Sequence, residues 1–204
     1  MKSIVDTLRL ISDAVTQFEQ ETNQAALIAL IGGYAALYYG SERTTFDVDT
    51  CFYVSNDAPG RSFYVWLKKY LPSHFELRFM EASKDPTDPF KHDLITITDA
   101  QEEYPRIDIM IVRYKWELEG LEQAETVPRL NFPVIPPPYL VAMKLVAGGR
   151  KDELDILAMV KEMTEETLNK SKELAKRVHR DKKLTRLLNP PPEEEVRETP
   201  EEYL

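Results

Sequence analysis

The segment Phe132-Pro-Val-Ile-Pro-Pro-Pro138 restricts the fold of this chain more than any other stretch. Four of its seven residues are proline, which lacks an amide donor, so it is predicted to be neither a helix nor a central strand. A junction is expected there. It divides the chain into residues 1–132, a helical region 133–188, and a tail 189–204 whose four prolines and six glutamates predict disorder.

Hydrophobic periodicity on the two sides of the junction differs. Residues 1–18 have apolar positions broken by Asp6, Arg9 and Asp13, the pattern of an amphipathic helix rather than of a signal peptide. Ala25 to Ile31 reads as a buried strand, Gly32-Gly33 as a turn, and Tyr34 to Tyr39 as a helix stopped by Gly40. Phe46 to Val54 alternates, with Phe46, Val48, Phe52 and Val54 on one side and Asp47, Asp49, Cys51 and Tyr53 on the other. A helix is predicted over 62–71 and strands over 75–80, 94–98 and 106–112, the last two antiparallel. After the prolines, helices are predicted over 139–147, 151–163 and 164–188. The fold class expected is α/β (α+β), a mixed β-sheet flanked by helices with a C-terminal helical region.

Composition excludes several function classes. A single cysteine, Cys51, allows no intrachain disulfide, and His74, His92 and His179 are too scattered to suggest a zinc site. The uncharged run 23–41 is interrupted by two glycines and does not suit a membrane span, so a cytoplasmic location is expected. The net charge of −9 argues against a general nucleic-acid coat. Six basic residues within 176–186 are nevertheless the best candidate for touching RNA, against the commoner reading of a solvated helix face. The tyrosines 34, 38 and 39 and Trp66 fit core positions better than base-stacking platforms.

Asp47 and Asp49 stand two apart in a predicted strand, so both carboxylates leave one face, an arrangement suited to a cation. Asp108, within the apolar run Ile107 to Val112, is a third charge that needs compensation. A divalent cation would compensate all three; ion pairs with Arg43 and Arg106 are the structural alternative. Gly32-Gly33 between strand and helix would let a backbone approach a phosphate.

The order Gly32-Gly33, Asp47-Val-Asp49 and a later strand aspartate, Asp108, resembles the signature of the DNA polymerase β-type nucleotidyltransferase superfamily. Arg43-Thr-Thr-Phe-Asp-Val-Asp49 followed by LVAMKLVAGGRKDELDIL is more narrowly similar to minimal nucleotidyltransferases related to AbiEii-type toxins. The likeness covers roughly residues 25 to 160 and makes 1–132 the catalytic unit, with 133–188 completing the site. It implies a nucleoside triphosphate substrate with Mg²⁺ or Mn²⁺. Gly32, Gly33, Arg43 and Lys144 would then meet the nucleotide, Asp47, Asp49 and Asp108 the metal, and Lys144 and Asp155 would join the catalytic set. Tyr34 stands where many relatives carry a phosphate-binding hydroxyl residue.

Lys144 lies in an otherwise apolar predicted helix, where snorkelling is the alternative to triphosphate contact. For Asp152 the expected role is at a helix amino terminus; Asp155 either pairs with Lys151 or serves the site. Three functional readings stand. In the first, a nucleoside monophosphate moves to a hydroxyl, RNA among the acceptors, and the chain is the toxin of a toxin–antitoxin pair with an antitoxin partner. The second is transfer to a small molecule or protein, and the third a nucleotide-binding module that releases no pyrophosphate.

Overall fold

Ser3 and Asp6 cap each other's backbone amides, which starts the first helix, α1 (Ile4–Thr22), in the computed structural model of the chain. The structure describes residues 2–85, 87 and 91–190. Most of the tail expected at 189–204 therefore lies outside the described residues. The buried positions Leu8, Ile11, Val15 and Phe18 recur every three to four residues, so α1 presents one apolar stripe.

After β1 (Ala26–Leu30) come the short helix α2 (Gly32–Tyr38), β2 (Val48–Val54), α3 (Pro59–Tyr70), β3 (Phe75–Met80), β4 (Leu94–Asp99) and β5 (Ile107–Ile111). Helix α4 (Lys115–Glu122), β6 (Glu125–Val127) and β7 (Phe132–Val134) follow, then α5 (Pro137–Ala147), α6 (Arg150–Lys161), α7 (Glu165–Arg177) and α8 (Asp181–Leu188). The seven strands form one mixed sheet in the order β3-β4-β5-β2-β1-β7-β6. Strand β2 pairs antiparallel with β1 and parallel with β5, while β4 pairs antiparallel with both β3 and β5. The mixed sheet with flanking helices is the class expected from the sequence.

Alternation along β2 gives the sheet two distinct faces. One carries Phe52, which stacks on Phe63 of α3 at 4.1 Å between ring centroids, with Phe18 of α1 edge-on to Phe63 at 5.1 Å. The other carries Asp49 and Cys51, continues through Asp108 and Met110 of β5, and lies against α5.

Several boundaries differ from expectation. The proline segment does enter both kinds of element: Pro137 and Pro138 form the first turn of α5, where amide donors have no helical acceptor anyway. Pro133 sits in β7, which meets β1 through Val134 and through the Ile135 amide on Leu30 O, so its missing donor is not needed there. Strand β2 starts at Val48 rather than at Phe46, and Phe46 is 72% exposed instead of sharing the buried face. The helix expected over 164–188 is two, interrupted where His179 takes a left-handed φ of 56°. Helix α4 and strand β6, in a stretch without a clear period, were not foreseen.

Candidate active site

The end of β1 is fastened to β2 by the Ile31 amide, which donates to Asp49 O at 2.9 Å. Gly32 follows with φ +64°, and a Cβ on it would stand 2.0 Å from Asp49 Oδ2. Only glycine lets the Asp49 carboxylate lie over this turn. A Cβ on Gly33 would reach within 2.5 Å of Thr45 Oγ1 and 2.9 Å of the Arg43 guanidinium. The Gly33 amide donates to the Asp49 side chain. The pair thus admits close approach by the protein's own side chains, while Gly32 also borders an open cleft.

Asp49 and Asp108 are register partners on the parallel strands β2 and β5. Burial, then the neighbouring charges of Asp108 and Asp47, push the Asp49 carboxyl up to about 6, against the opposing pull of the Gly33 amide and Lys144. Asp108 is better compensated. It accepts from Thr96 Oγ1 at 2.8 Å, and Arg106 reaches its two oxygens at 3.2 and 2.9 Å. The ion pair expected as the alternative for Arg106 is therefore present on Asp108. Asp47 precedes β2, is exposed, and lies outside the cleft lining, although its charge is felt at Asp49.

Arg43 pairs with neither Asp47 nor Asp49. Its Nε lies 2.9 and 3.0 Å from the two oxygens of Asp155, a residue of α6 that is fully buried. Asp155 also accepts from Ser41 Oγ at 2.7 Å and from Lys144 Nζ at 2.6 Å. Burial works to raise the Asp155 carboxyl, but the bonds from Arg43, Lys144 and Ser41 outweigh it and hold it below the usual carboxylate value. Lys144 does not snorkel: it is only 4% exposed, and its ammonium also meets Asp152 Oδ1 at 3.2 Å. Asp152 in addition takes the Gly149 amide at the start of α6, the helix-end role expected of it. Asp155 has Arg43, Lys144 and Ser41 as partners in place of Lys151.

Between the Asp49 face of the sheet and α5 runs a cleft of about 330 Å³. Gly32, Asp49, Asp108, Lys144 and Asp152 border its polar part; Leu94, Met110, Leu140, Met143 and Ala147 border the remainder, with Lys91 and His92. Asp155 and Arg43 stand behind Lys144 rather than on the cleft wall. Sequence reasoning missed His92. Its Nε2 lies 2.8 Å from Oε1 of Glu117, which is 1% exposed on α4. Spacing could not have signalled a pair 25 residues apart. Ser41 was missed as well, for the same reason.

Chemically the polar end joins two adjacent carboxylates, one of them disfavoured as an anion, with an ammonium on the facing helix. Among the described residues no three His, Cys, Asp or Glu side chains are gathered to hold a metal ion. Asp49 and Asp108 do fit a Mg²⁺ or Mn²⁺ ion of the kind held by one or two carboxylates and completed by water and phosphate oxygens. No helix among the described residues is long and apolar enough to cross a membrane.

No protein-family model and no curated protein matches the chain. Solved structures do. An antigenic nucleotidyltransferase-like protein from Paracoccidioides brasiliensis is 18% identical with a TM-score of 0.48, over 91% of each chain. The antibiotic-resistance factor ANT(2'')-Ia is 11% identical with a TM-score of 0.49, over 90% of this chain and 96% of that one. MenT4, a nucleotidyltransferase toxin of Mycobacterium tuberculosis H37Rv, is 15% identical with a TM-score of 0.47, over 84% of this chain and 63% of that one.

Proposed function

We propose that the chain is a nucleotidyltransferase which binds a nucleoside triphosphate in the cleft between the sheet and α5 and transfers the nucleoside monophosphate to a hydroxyl acceptor. The observation that carries this reading is the register pairing of Asp49 with Asp108 beside Gly32, across one cleft from Lys144. Burial, and after it the charges of Asp108 and Asp47, raise the Asp49 carboxyl to about 6, so a cation or a phosphate-bound metal arriving in the cleft would favour its ionised form.

In this reading Asp49 and Asp108 would hold the metal, with Asp47 adding charge from the rim. The bound ion would polarise the phosphoryl oxygens and offset charge on the entering and leaving oxygens. Lys144 meets the triphosphate from α5 as a point charge, and Asp155 with Arg43 holds that ammonium in place. Gly32 gives the phosphates access to the turn. The acceptor oxygen attacks the α-phosphorus, the bond from that phosphorus to the bridging α–β oxygen breaks, and pyrophosphate leaves. The acceptor proton passes to the Asp108 carboxylate, which Thr96 and Arg106 hold in a fixed orientation.

RNA is the acceptor class favoured among hydroxyl donors. Arg177 is tied to Glu119, and Lys183 to Glu153 and Gly148 O, but Lys176, Lys182 and Arg186 are exposed and make no side-chain hydrogen bond or ion pair among the described residues. Three such cations on α7 and α8 would position a phosphate backbone without reading its sequence. The toxin reading rests on the motif likeness; growth arrest on expression, relieved by Asp49→Asn and by a co-expressed antitoxin, would support it.

The test is incubation with each α-labelled triphosphate, Mg²⁺ and total RNA and protein. Label appearing in RNA, with pyrophosphate released and both lost in Asp49→Asn, is the expected result. Label in protein or a small molecule moves the acceptor class. Tight nucleotide binding without pyrophosphate would leave a binding module instead.

A further inference from the structure

The cleft extends beyond its charged end, and that extension is built as carefully as the carboxylate pair. Met110 lies two residues past Asp108 on β5, Leu94 is opposite Met110 on β4, and His92 stands in the bend two residues before Leu94. His92 and Asp108 thus border the same cleft from different elements, His92 from the bend before β4 and Asp108 from β5. Between them the walls are apolar: Leu94 and Met110 from the sheet, Leu140, Met143 and Ala147 from α5. Two flexible thioethers in a slot suit a flat aromatic ring, to which sulfur makes favourable contacts.

His92 closes this slot with a fixed ring. Oε2 of buried Glu117 is occupied by the amides of Arg113 and Tyr114 at the start of α4, at 3.1 and 3.0 Å. Oε1 is left for His92 Nε2, which is the donor when Glu117 is a carboxylate, since a carboxylate only accepts. Tyr114 packs edge-on against the imidazole at 5.5 Å. In the neutral ring this fixes Nδ1 as a hydrogen-bond acceptor.

We propose that this slot is the nucleobase site, and that His92, positioned by Glu117, determines base preference by accepting a hydrogen bond at Nδ1 from an N–H group on the base edge. The inference rests on the nucleotidyltransferase reading above. It assigns His92 to specificity and Glu117 to positioning, with no part for either in the phosphoryl chemistry. With the α-phosphate at Asp49 and Asp108, the sugar and base would extend along the apolar slot that His92 also borders.

The experiment compares the affinities of the four nucleoside triphosphates with that of inorganic tripolyphosphate, in the wild-type chain and in His92→Phe, which keeps a ring against Tyr114 and removes both nitrogens. The preferred nucleotide should lose about tenfold in affinity in His92→Phe, the size of one well-made hydrogen bond, while tripolyphosphate binding stays within twofold. An analogue of that nucleotide with its base-edge N–H replaced by N-methyl should lose as much in the wild type and nothing further in the variant. As a readout that needs no substitution, the ¹⁵N resonance of His92 Nδ1 should shift on addition of the preferred nucleotide and remain in place with tripolyphosphate. Glu117→Gln should alter the tautomer reported by the same spectrum and weaken base preference. An unchanged base ranking in His92→Phe with an unmoved Nδ1 resonance overturns the base site alone. Failure of every nucleotide to bind overturns the nucleotidyltransferase reading together with it.

Discussion

Asp49 carries opposing demands. Its carboxyl sits over Gly32, partly shielded from water and next to Asp108 and Asp47, so folding favours its neutral form and its value rises from 3.8 to about 6. A carboxylic acid raised on folding costs nothing below its unfolded value. The cost grows as pH rises from about 4 through 6 and is complete above that. Asp49→Asn should therefore be more stable than the wild type at pH 8, by about 2 kcal/mol, and should show no gain at pH 3.5. Thermal melts at the two pH values check this. In the proposed function the same variant loses transfer, so stability and activity would move in opposite directions. An unchanged melting temperature at pH 8 would mean that the ionised carboxylate is already compensated in the protein. The aspartates were legible in the sequence because two charges in an alternating strand are conspicuous. That Asp47 falls outside β2 while Asp49 remains within was not, because strand ends are set by pairing with Arg106 and Ile107 rather than by alternation.

At the scale of elements, the turn between β1 and α2 is decided by one conformation. Gly32 needs φ +64°, and a methyl group there would collide with Asp49 Oδ2. Gly32→Ala combines left-handed strain of about 1 kcal/mol with displacement of that carboxylate. A loss of about 2–3 kcal/mol is expected, measured by urea unfolding, together with a fall in Asp49-dependent nucleotide binding. The double variant Gly32→Ala/Asp49→Ala should recover part of the stability, since the carboxylate that clashes is gone; additive losses would place the strain in the backbone alone. The glycine pair was visible as a strand-to-helix turn. The side chain lying against it was not, since the contact between Gly32 and the Asp49 carboxylate spans 17 residues. Helix α5 shows the converse case: Pro137 and Pro138 were read as helix-breaking, yet the first turn has amides to spare.

For the whole molecule, one buried charge cluster joins pieces that the proline segment separates. Ser41 and Arg43 follow α2, Lys144 belongs to α5 and Asp155 to α6, and Asp155 is the acceptor common to all three donors. Lys144→Met keeps the side-chain stem but leaves Asp155 with fewer compensating bonds in a buried place. It should lose about 3 kcal/mol, a fall of roughly 10 °C in melting temperature, with a single transition retained. A snorkelling lysine would have left stability unchanged. The pH dependence has a definite sign: Asp155 is held below 3.8, so its contribution is present above that value and is lost as pH falls through the lower folded value. The difference between wild type and Lys144→Met should shrink below about pH 4. A difference independent of pH down to 2 would assign the loss to packing.

The sequence by itself determined the mixed α/β class, the order of most strands and helices, the glycine turn and the three aspartates that stand out against apolar surroundings. These are local properties, written in periods of two and three to four residues and in charges where such periods demand apolar side chains. Only the tertiary structure decided which charges meet. Arg43 passed over the adjacent aspartates to reach Asp155, and His92 was set against Glu117 across the cleft from α5. Each of those choices depends on how the sheet orders its strands and where α4, α5 and α6 come to rest. Partners that are 25 to 112 residues apart leave no spacing in the chain by which they could be recognised.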